Sequence, residues 1–345
     1  MPDSPLILGI ESSCDDTAAA VMANGTLRSN VVSSQRIHDE YGGVVPELAS
    51  RDHQRLIVPV VDDALEEAGI TRSDLDAIAV THGPGLSGSL LVGLSYAKAL
   101  ALGLGVPLIG VNHLEGHIYS AQIEPPAPPF PYLCLIVSGG HTQLVLVEAA
   151  FEHTVLGQTR DDAAGEAFDK IAQLLDLGYP GGPVIDQHAP HGDPSFHDFP
   201  RAELDDFDFS FSGLKTSVLY YLNDFSDEER ASFLDDHLDD LCAAAQQAIV
   251  DVLIRTLRRA VAETGVDHVA ITGGVSANSA LRAAAHSAGE ADGFEVYLPD
   301  LAYCMDNAAM IAMAGHLKWQ TGYQSDLTLD VDPRLDLQSS APART

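Results

Sequence analysis

Positive charge is what this sequence has least of. Eighteen Lys plus Arg stand against fifty Asp plus Glu in 345 residues, a formal net charge of −32. Phosphate binding relies on Lys and Arg displacing counterions, so such a chain should repel nucleic acid unless the site is local or a partner supplies it. The acids are spread along the chain singly or in pairs. Screening at molar salt shrinks the Debye length to about 3 Å, and the composition reads as adaptation to a salty cytoplasm. Cysteine is scarce too: Cys14, Cys134, Cys242 and Cys304 lie far apart with no C-x-x-C pair. Neither a zinc ribbon nor a disulfide framework is indicated, which fits a reducing compartment. Long charge-free apolar runs are lacking as well. The longest, "LLVGLSYAKALALGLGVPLIGV" from Leu90, holds Lys98 and several glycines and reads as a buried helix running into a strand, so no membrane span is expected. The opening "MPDSPLILGI" carries an acid and an apolar run too short for a signal peptide, so a cytoplasmic location is expected.

The length suits two domains of roughly 150 to 180 residues each, with a cleft expected between them. "LILGIESSCDDTAAAVM" at 6–22 and "YLCLIVSGGHTQLVLVE" at 132–148 both read as strand, tight turn, strand, the mark of a duplicated domain. The Pro-rich "IEPPAPPFP" at 123–131 is the best boundary, giving lobes over 1–125 and 126–345. Strands alternate with helices in both halves, including a long helix from about Asp227 to Thr264, so the class is α/β. The stretch from Gly178 to Gly213 reads as turns, and the tail after about Asp326 as loosely ordered.

The chemistry begins at "VNHLEGHIYS", 111–120, where His113 and His117 stand four apart. On a helix both imidazoles project from one face and can share an ion. The pattern resembles the zinc-protease motif H-E-x-x-H but differs from it. Leu114 follows the first His, and Glu115 is turned about 100° away from where a protease holds its base. A third, oxygen ligand has to come from a residue such as Asp306 in "YCMDNAAMIA", which can also be read as a helix cap. "VSGGHT" at 137–142 has paired glycines after a strand, an arrangement that forms either an anion nest or an ordinary hairpin turn. "TGGVSAN" at 272–278 is similar, with Asn278 able to bond a base or ribose. Asp169 and Asp186 can accept ribose hydroxyls or serve as solvated charges.

"GIESSCDDT", "GGVVPELASRDH", "THGPGLSGSLLVG", "NHLEGH", "VSGGHTQL", "GEAFDKIA", "YPGGP", "FSFSGLKT", "TGGVSAN" and "MDNAAMIA" follow one another through almost the whole chain. In this order they resemble the bacterial TsaD family, the catalytic subunit of tRNA threonylcarbamoyladenosine synthesis, also known as O-sialoglycoprotein endopeptidase. The resemblance covers about residues 6 to 320. Met305 departs from the Thr expected before the Asp-Asn pair. The resemblance implies a two-lobed actin-like, Hsp70-like ATPase fold built from duplicated RNase H-like domains. It also implies one divalent metal, iron or zinc, on His113, His117 and Asp306. The nucleotide site would take Val137, Ser138, Gly139, Gly140 and His141 at the phosphates, Asp169, Gly182 and Asp186 around the ribose, and Asn278 on the base side.

The implied reaction moves the threonylcarbamoyl group of threonylcarbamoyl-AMP to N6 of the adenosine 3′ of the anticodon, in tRNAs reading codons that begin with A. Glu11, Asp15 and Asp16 in the first hairpin turn are the candidates for the base that takes the amine proton. Arg51, His53 and Arg55, or Arg255, Arg258 and Arg259, are the local cations available to tRNA. The resemblance supplies partners as well, a TsaB-like paralogue and a TsaE-like ATPase. The rival readings are a metalloprotease and a chaperone-like or sugar-kinase-like ATPase on the same fold.

Overall fold

The computed structural model describes residues 5–337, so the acidic start of the chain and the last eight residues of the tail lie outside the described residues. The described chain divides into two compact units. One holds residues 5–127, 149–153 and 299–337, and the other holds 128–148 and 154–298. The segment 299–337, placed in the second lobe by the reading at 125/126, therefore belongs with the first unit.

The first unit opens with β1 (Leu6–Glu11), β2 (Asp16–Ala23) and β3 (Thr26–Ser34), an antiparallel meander. The helix α1 (Pro46–Ala68) leads to β4 (Ala77–Gly83), α2 (Ser87–Leu104), β5 (Leu108–Asn112) and the short α3 (His113–Ser120). The sheet order is β3-β2-β1-β4-β5, with β4 and β5 parallel to β1. Among the described residues α2 alone is long and apolar enough to cross a membrane by composition. Here its Leu94, Ala97 and Ala101 are buried in the core with Ile57, Val60 and Val61 of α1 and Val80 of β4, and Leu90 is buried as well.

The second unit repeats the plan. Its strands β6 (Tyr132–Val137), β7 (Thr142–Ala149) and β8 (Glu152–Gln158) lead into α4 (Ala164–Leu174), α5 (Gly181–His188), α6 (Ser212–Asn223) and α7 (Asp227–Thr264). A break in helical geometry at His237 kinks α7. Then come β9 (His268–Thr272), α8 (Ser279–Asp292) and β10 (Glu295–Tyr297). The order β8-β7-β6-β9-β10 matches the first sheet strand for strand, with β9 parallel to both β6 and β10. The duplication read from two hairpins is thus a duplicated five-stranded sheet, and the hairpins are the first two strands of three-stranded meanders.

The chain closes with α9 (Ala308–Gln320), which packs on the first sheet. Both faces of that sheet are covered, so β2 carries Ala18, Ala19 and Ala20 fully buried rather than alternating with polar residues. Gly9 in β1 is required here: a Cβ would stand 2.6 Å from the Ala308 carbonyl and 2.7 Å from the Ala312 amide. This close approach fixes the depth of α9 against the sheet, and with it the start of the helix just after Asp306 and Asn307. The segment after Asp326, expected to be loose, is instead tied down as far as it is described. The Asp332 amide donates to His82 O, Asn112 Nδ2 donates to Asp336 O, and Leu337 is buried.

Candidate functional site

In the first unit, β5 delivers the chain into α3, and Asn112 caps that helix by accepting from the Leu114 amide at 2.8 Å. Cap and helix together set His113 in the first turn and His117 one turn on. The rings lie edge to face with centroids 4.7 Å apart, and both are buried. Asp306 comes from the other side, ahead of α9. The cap of α9 is Asn307, whose Oδ1 accepts from the Met310 amide and whose Nδ2 donates to Met305 O, so the capping role considered for Asp306 is already filled. Asp306 Oδ1 lies 3.2 Å from His117 Nε2 and 3.5 Å from His113 Nε2.

One ligand atom from each of His113, His117 and Asp306 falls within 4.8 Å of the other two. Despite its closeness to the carboxylate, His117 Nε2 is buried and makes no hydrogen bond. A buried nitrogen close to a carboxylate without bonding to it is what an ion between the two would produce. Two imidazoles and one carboxylate are the donors that suit a divalent zinc or iron ion. The residues fit the metal.

Behind His113 stands Glu11, at the end of β1 and completely buried. Its Oε2 lies 3.1 Å from His113 Nδ1 and accepts from Thr81 Oγ1 at 2.6 Å, while Oε1 accepts from the Ser13 amide. Ser13 Oγ also lies 3.1 Å from His113 Nδ1. With Nδ1 held by these two groups, Nε2 is left to face Asp306. Burial works against a charged imidazole at His113, but the Asp306 and Glu11 carboxylates outweigh it and raise the ring to about 9. Burial also opposes the charge on Glu11, and its bonds to His113 and Thr81 bring it below the usual carboxylate range.

The three acids of the first turn therefore differ. Glu11 has both oxygens committed within the protein. Asp15 and Asp16 are partly exposed, and Asp16 is raised to about 7 by burial and by the Asp306, Asp15 and Glu11 carboxylates. His53 shapes this turn from below, with Nδ1 at 2.8 Å from Thr17 Oγ1 and Nε2 at 2.9 Å from Cys14 O. Being fully buried, His53 is not the surface cation the sequence offered. Arg51 pairs with Glu47, Arg55 with Asp52, and Arg258 doubly with Asp292, while Arg255 and Arg259 donate to carbonyls of Ala202, Leu204 and Asp206. Both expected cationic clusters are used within the chain.

In the second unit, Ser138–His141 closes the turn between β6 and β7. The Ser138 amide donates to His141 O at 2.8 Å, and the His141 amide to Ser138 Oγ at 3.1 Å. Val137 is a core residue, so only its backbone faces the turn. Gly139 and Gly140 are exposed, have no positive φ, and would meet nothing within 4 Å if given a Cβ. No neighbour in the chain demands glycine at either position. Gly165, in the first turn of α4, is packed tightly beneath the turn, where a Cβ would stand 2.7 Å from Ser138 O.

Asp169 on α4 accepts from the Gly181 amide at 2.8 Å, and its carboxyl is raised by burial. Gly182 follows in the first turn of α5. Asp186 accepts from the Ser279 amide and from Ser279 Oγ at the start of α8. Asn278 caps α8 through Oδ1 to the Leu281 amide and donates from Nδ2 to Gln246 Oε1 at 2.7 Å. These bonds gather Asp186, Asn278 and Gln246 around the start of α8. Gln246, a buried residue in the middle of a long helix, gave no sign in the sequence.

A family model described as tRNA N6-adenosine threonylcarbamoyltransferase matches residues 26–313. A protein of that description from Salinibacter ruber is 69% identical over 333 residues, 96% of this chain and all of the relative. One from Cytophaga hutchinsonii is 51% identical, again over 96% of each chain. Among solved structures, HypF from T. kodakarensis superposes with a TM-score of 0.64 at 15% identity, covering 93% of this chain and 49% of that one. Full-length HypF in its phosphate- and nucleotide-bound form gives 0.60 at 13%, with this chain spanning 47% of its length. These structures share the fold. By sequence along nearly its whole length, the chain belongs to the TsaD family of tRNA N6-adenosine threonylcarbamoyltransferases.

Proposed function

We propose that the protein transfers the threonylcarbamoyl group of threonylcarbamoyl-AMP to N6 of the adenosine 3′ of the anticodon in tRNAs reading codons that begin with A, and releases AMP. The observation that carries this reading is the family match across residues 26–313, joined to the convergence of His113, His117 and Asp306.

N6 of adenine is a weak nucleophile, so the acyl carbon must be made more electrophilic, the leaving phosphate stabilised and the amine deprotonated. In this reading His113, His117 and Asp306 hold a divalent ion, iron or zinc, which when bound supplies Lewis-acid polarisation. The Gly139 and Gly140 amides donate to the phosphate, and Ser138 and His141 hold the turn in shape. Asp169, Gly182, Asp186 and Asn278 surround the nucleoside. N6 forms its bond to the carbamoyl carbon, the bond from that carbon to the phosphate oxygen breaks, and AMP leaves with the electron pair. Asp16 takes the N6 proton, since Glu11 is spent on His113 and a carboxylate raised to about 7 is matched to accept a proton near neutral pH.

Both candidate cation clusters are committed within the chain, so a TsaB-like paralogue supplies the phosphate contacts and a TsaE-like ATPase completes the assembly, in the cytoplasm. The metalloprotease reading loses its base, because Glu115 is completely buried 2.8 Å from Lys318 Nζ.

The test is nucleoside analysis of tRNA after replacing a host's own enzyme with this protein and its partners. Threonylcarbamoyladenosine in the tRNA supports the reading. Its absence, together with glycoprotein cleavage or metal-independent kinase activity, sinks it.

A further inference from the structure

Leu114, Glu115 and Gly116 separate the two histidines, and the metal reading leaves Glu115 and Gly116 unexplained. Glu115 is 0% exposed and Lys318, on α9, is 4% exposed; Lys318 Nζ lies 2.8 Å from Glu115 Oε2 and donates to Gly110 O at 3.0 Å. The rings of Phe151 and Tyr323 stand 5.3 and 5.2 Å from the ammonium. One cation is thus joined to all three elements behind the metal ligands: its own helix α9, the strand β5 that delivers His113, and the helix α3 itself. Gly116 lets the two helices meet closely, since a Cβ there would stand 2.8 Å from Ile311 Cδ1 and 3.2 Å from Met310 Cγ.

The ion pair is expensive, because burying two charges costs several kcal/mol that their attraction repays only with good geometry. Neither Glu115 oxygen makes a hydrogen bond, so its contact with Lys318 is one of charge; apolar contact would hold α3 to α9 without that cost, but it would not single out one pair of atoms. The start of α9 is tied to the first sheet by the Ala309 amide, which donates to Asn30 Oδ1 at 3.1 Å, and its middle packs through Met310 and Ile311 against Gly116; the Lys318 pair is the charged tie near its far end. Asp306 lies about three helical turns before Lys318 on this rod, and any axial slip moves the carboxylate relative to the histidines.

We propose that the Glu115–Lys318 ion pair is a positioning device of the metal centre, holding the far part of α9 against α3 so that Asp306 meets His113 and His117. The inference rests on the metal reading of those three residues. Neither Glu115 nor Lys318 touches the ion.

The test compares the wild type with Lys318→Met and with the double variant Glu115→Leu/Lys318→Met, reading thermal unfolding and Co(II) binding by its d–d absorption, well below the melting temperature. Lys318→Met strands a buried carboxylate and lowers the melting temperature. The double variant removes both charges and recovers it, as apolar replacement of a whole buried pair does. The proposal expects the double variant to bind Co(II) about 10- to 100-fold more weakly than wild type, with an altered band shape, the loss typical of disturbing the groups that orient metal ligands. A double variant with wild-type affinity and band overturns the proposal, and so does one whose affinity falls only in proportion to its unfolded fraction. If the wild-type band is unchanged by His113→Ala, the metal reading itself fails and takes this inference with it.

Discussion

His113 Nδ1 lies 3.1 Å from Glu11 Oε2, and this contact joins the end of the first strand to the helix that carries both His113 and His117. Glu11 is buried and its other oxygen is held by the Ser13 amide, so the carboxylate has no freedom to turn away. Replacing it with Gln puts an amide in the place of an acceptor that His113 uses to fix its ring. Glu11→Gln is expected to weaken binding of Zn(II) about 10- to 100-fold, measured by competition with a chromogenic chelator. Unchanged affinity would show that Ser13 alone orients the ring.

Metal binding should depend steeply on pH. Without metal, the Asp306 and Glu11 carboxylates overcome the burial penalty at His113 and hold its pKa at about 9, above an ordinary 6.5. A raised folded-state value means that the protonated ring stabilises the metal-free fold fully below about 6.5 and that this contribution is lost as pH rises through 9. A ligand must shed that proton to bind, so affinity should rise about tenfold per pH unit from 7 toward 9 and then level. Calorimetric titrations in buffers of different ionisation enthalpy would count the proton released. A flat profile over this range contradicts the assignment.

Asp16 shifts in the same direction as His113, but for a different reason. Its folded pKa of about 7 exceeds the ordinary 3.8 because burial and the nearby carboxylates disfavour the charge. Between these values the folded state binds a proton that the unfolded state lacks, so stability falls as pH rises across the window. Asp16→Asn should remove that slope and raise the melting temperature at pH 8 by about 2–4 °C, as a gain near 1 kcal/mol does for a domain this size. Transfer should meanwhile fall by about 10²–10⁴, the contribution typical of a general base. A variant that keeps full activity would move the role to Asp15.

Gly139 and Gly140 offer a separation of stability from binding. Nothing in the chain crowds either Cβ position, and neither has a positive φ. Gly139→Ala and Gly140→Ala should therefore leave stability unchanged or raise it by about 0.4–1 kcal/mol, through the unfolded state. Affinity for AMP, followed by fluorescence of a labelled analogue, should drop about tenfold or more, because a methyl group would stand where the phosphate approaches the amides. Loss of stability with AMP binding intact would make the turn purely structural.

The fold was legible where the pattern was strong. The hairpins at 6 and 132, the strand into "NHLEGH" and the glycine turns all stand where periodicity placed them. The third strand of each meander was not seen, because "TLRSNVVSS" and "EHTVLGQ" mix polar and apolar residues at partly exposed positions. Nor does chain order reveal that α9 returns to the first unit, since its apolar surface suits any buried position. At the site, the types and spacing of His113, His117 and Asp306, which the fold brings together, were readable. The groups behind them were not: Glu11 bonds to His113 across 102 residues, Lys318 meets Glu115 across 203, and Gln246 reaches Asn278 across 32. Pairings of that kind are made by the fold and leave no local periodicity.

The most direct test of the account is a single-turnover transfer of labelled threonylcarbamoyl from its adenylate to unmodified tRNA, run at high salt with the TsaB-like and TsaE-like partners. Wild type would be set beside His113→Ala and Asp306→Ala. The account predicts label on the anticodon-adjacent adenosine with wild type and a loss of transfer in both variants that still bind AMP. Equal transfer by wild type and both variants would contradict the assignment of these residues to the reaction.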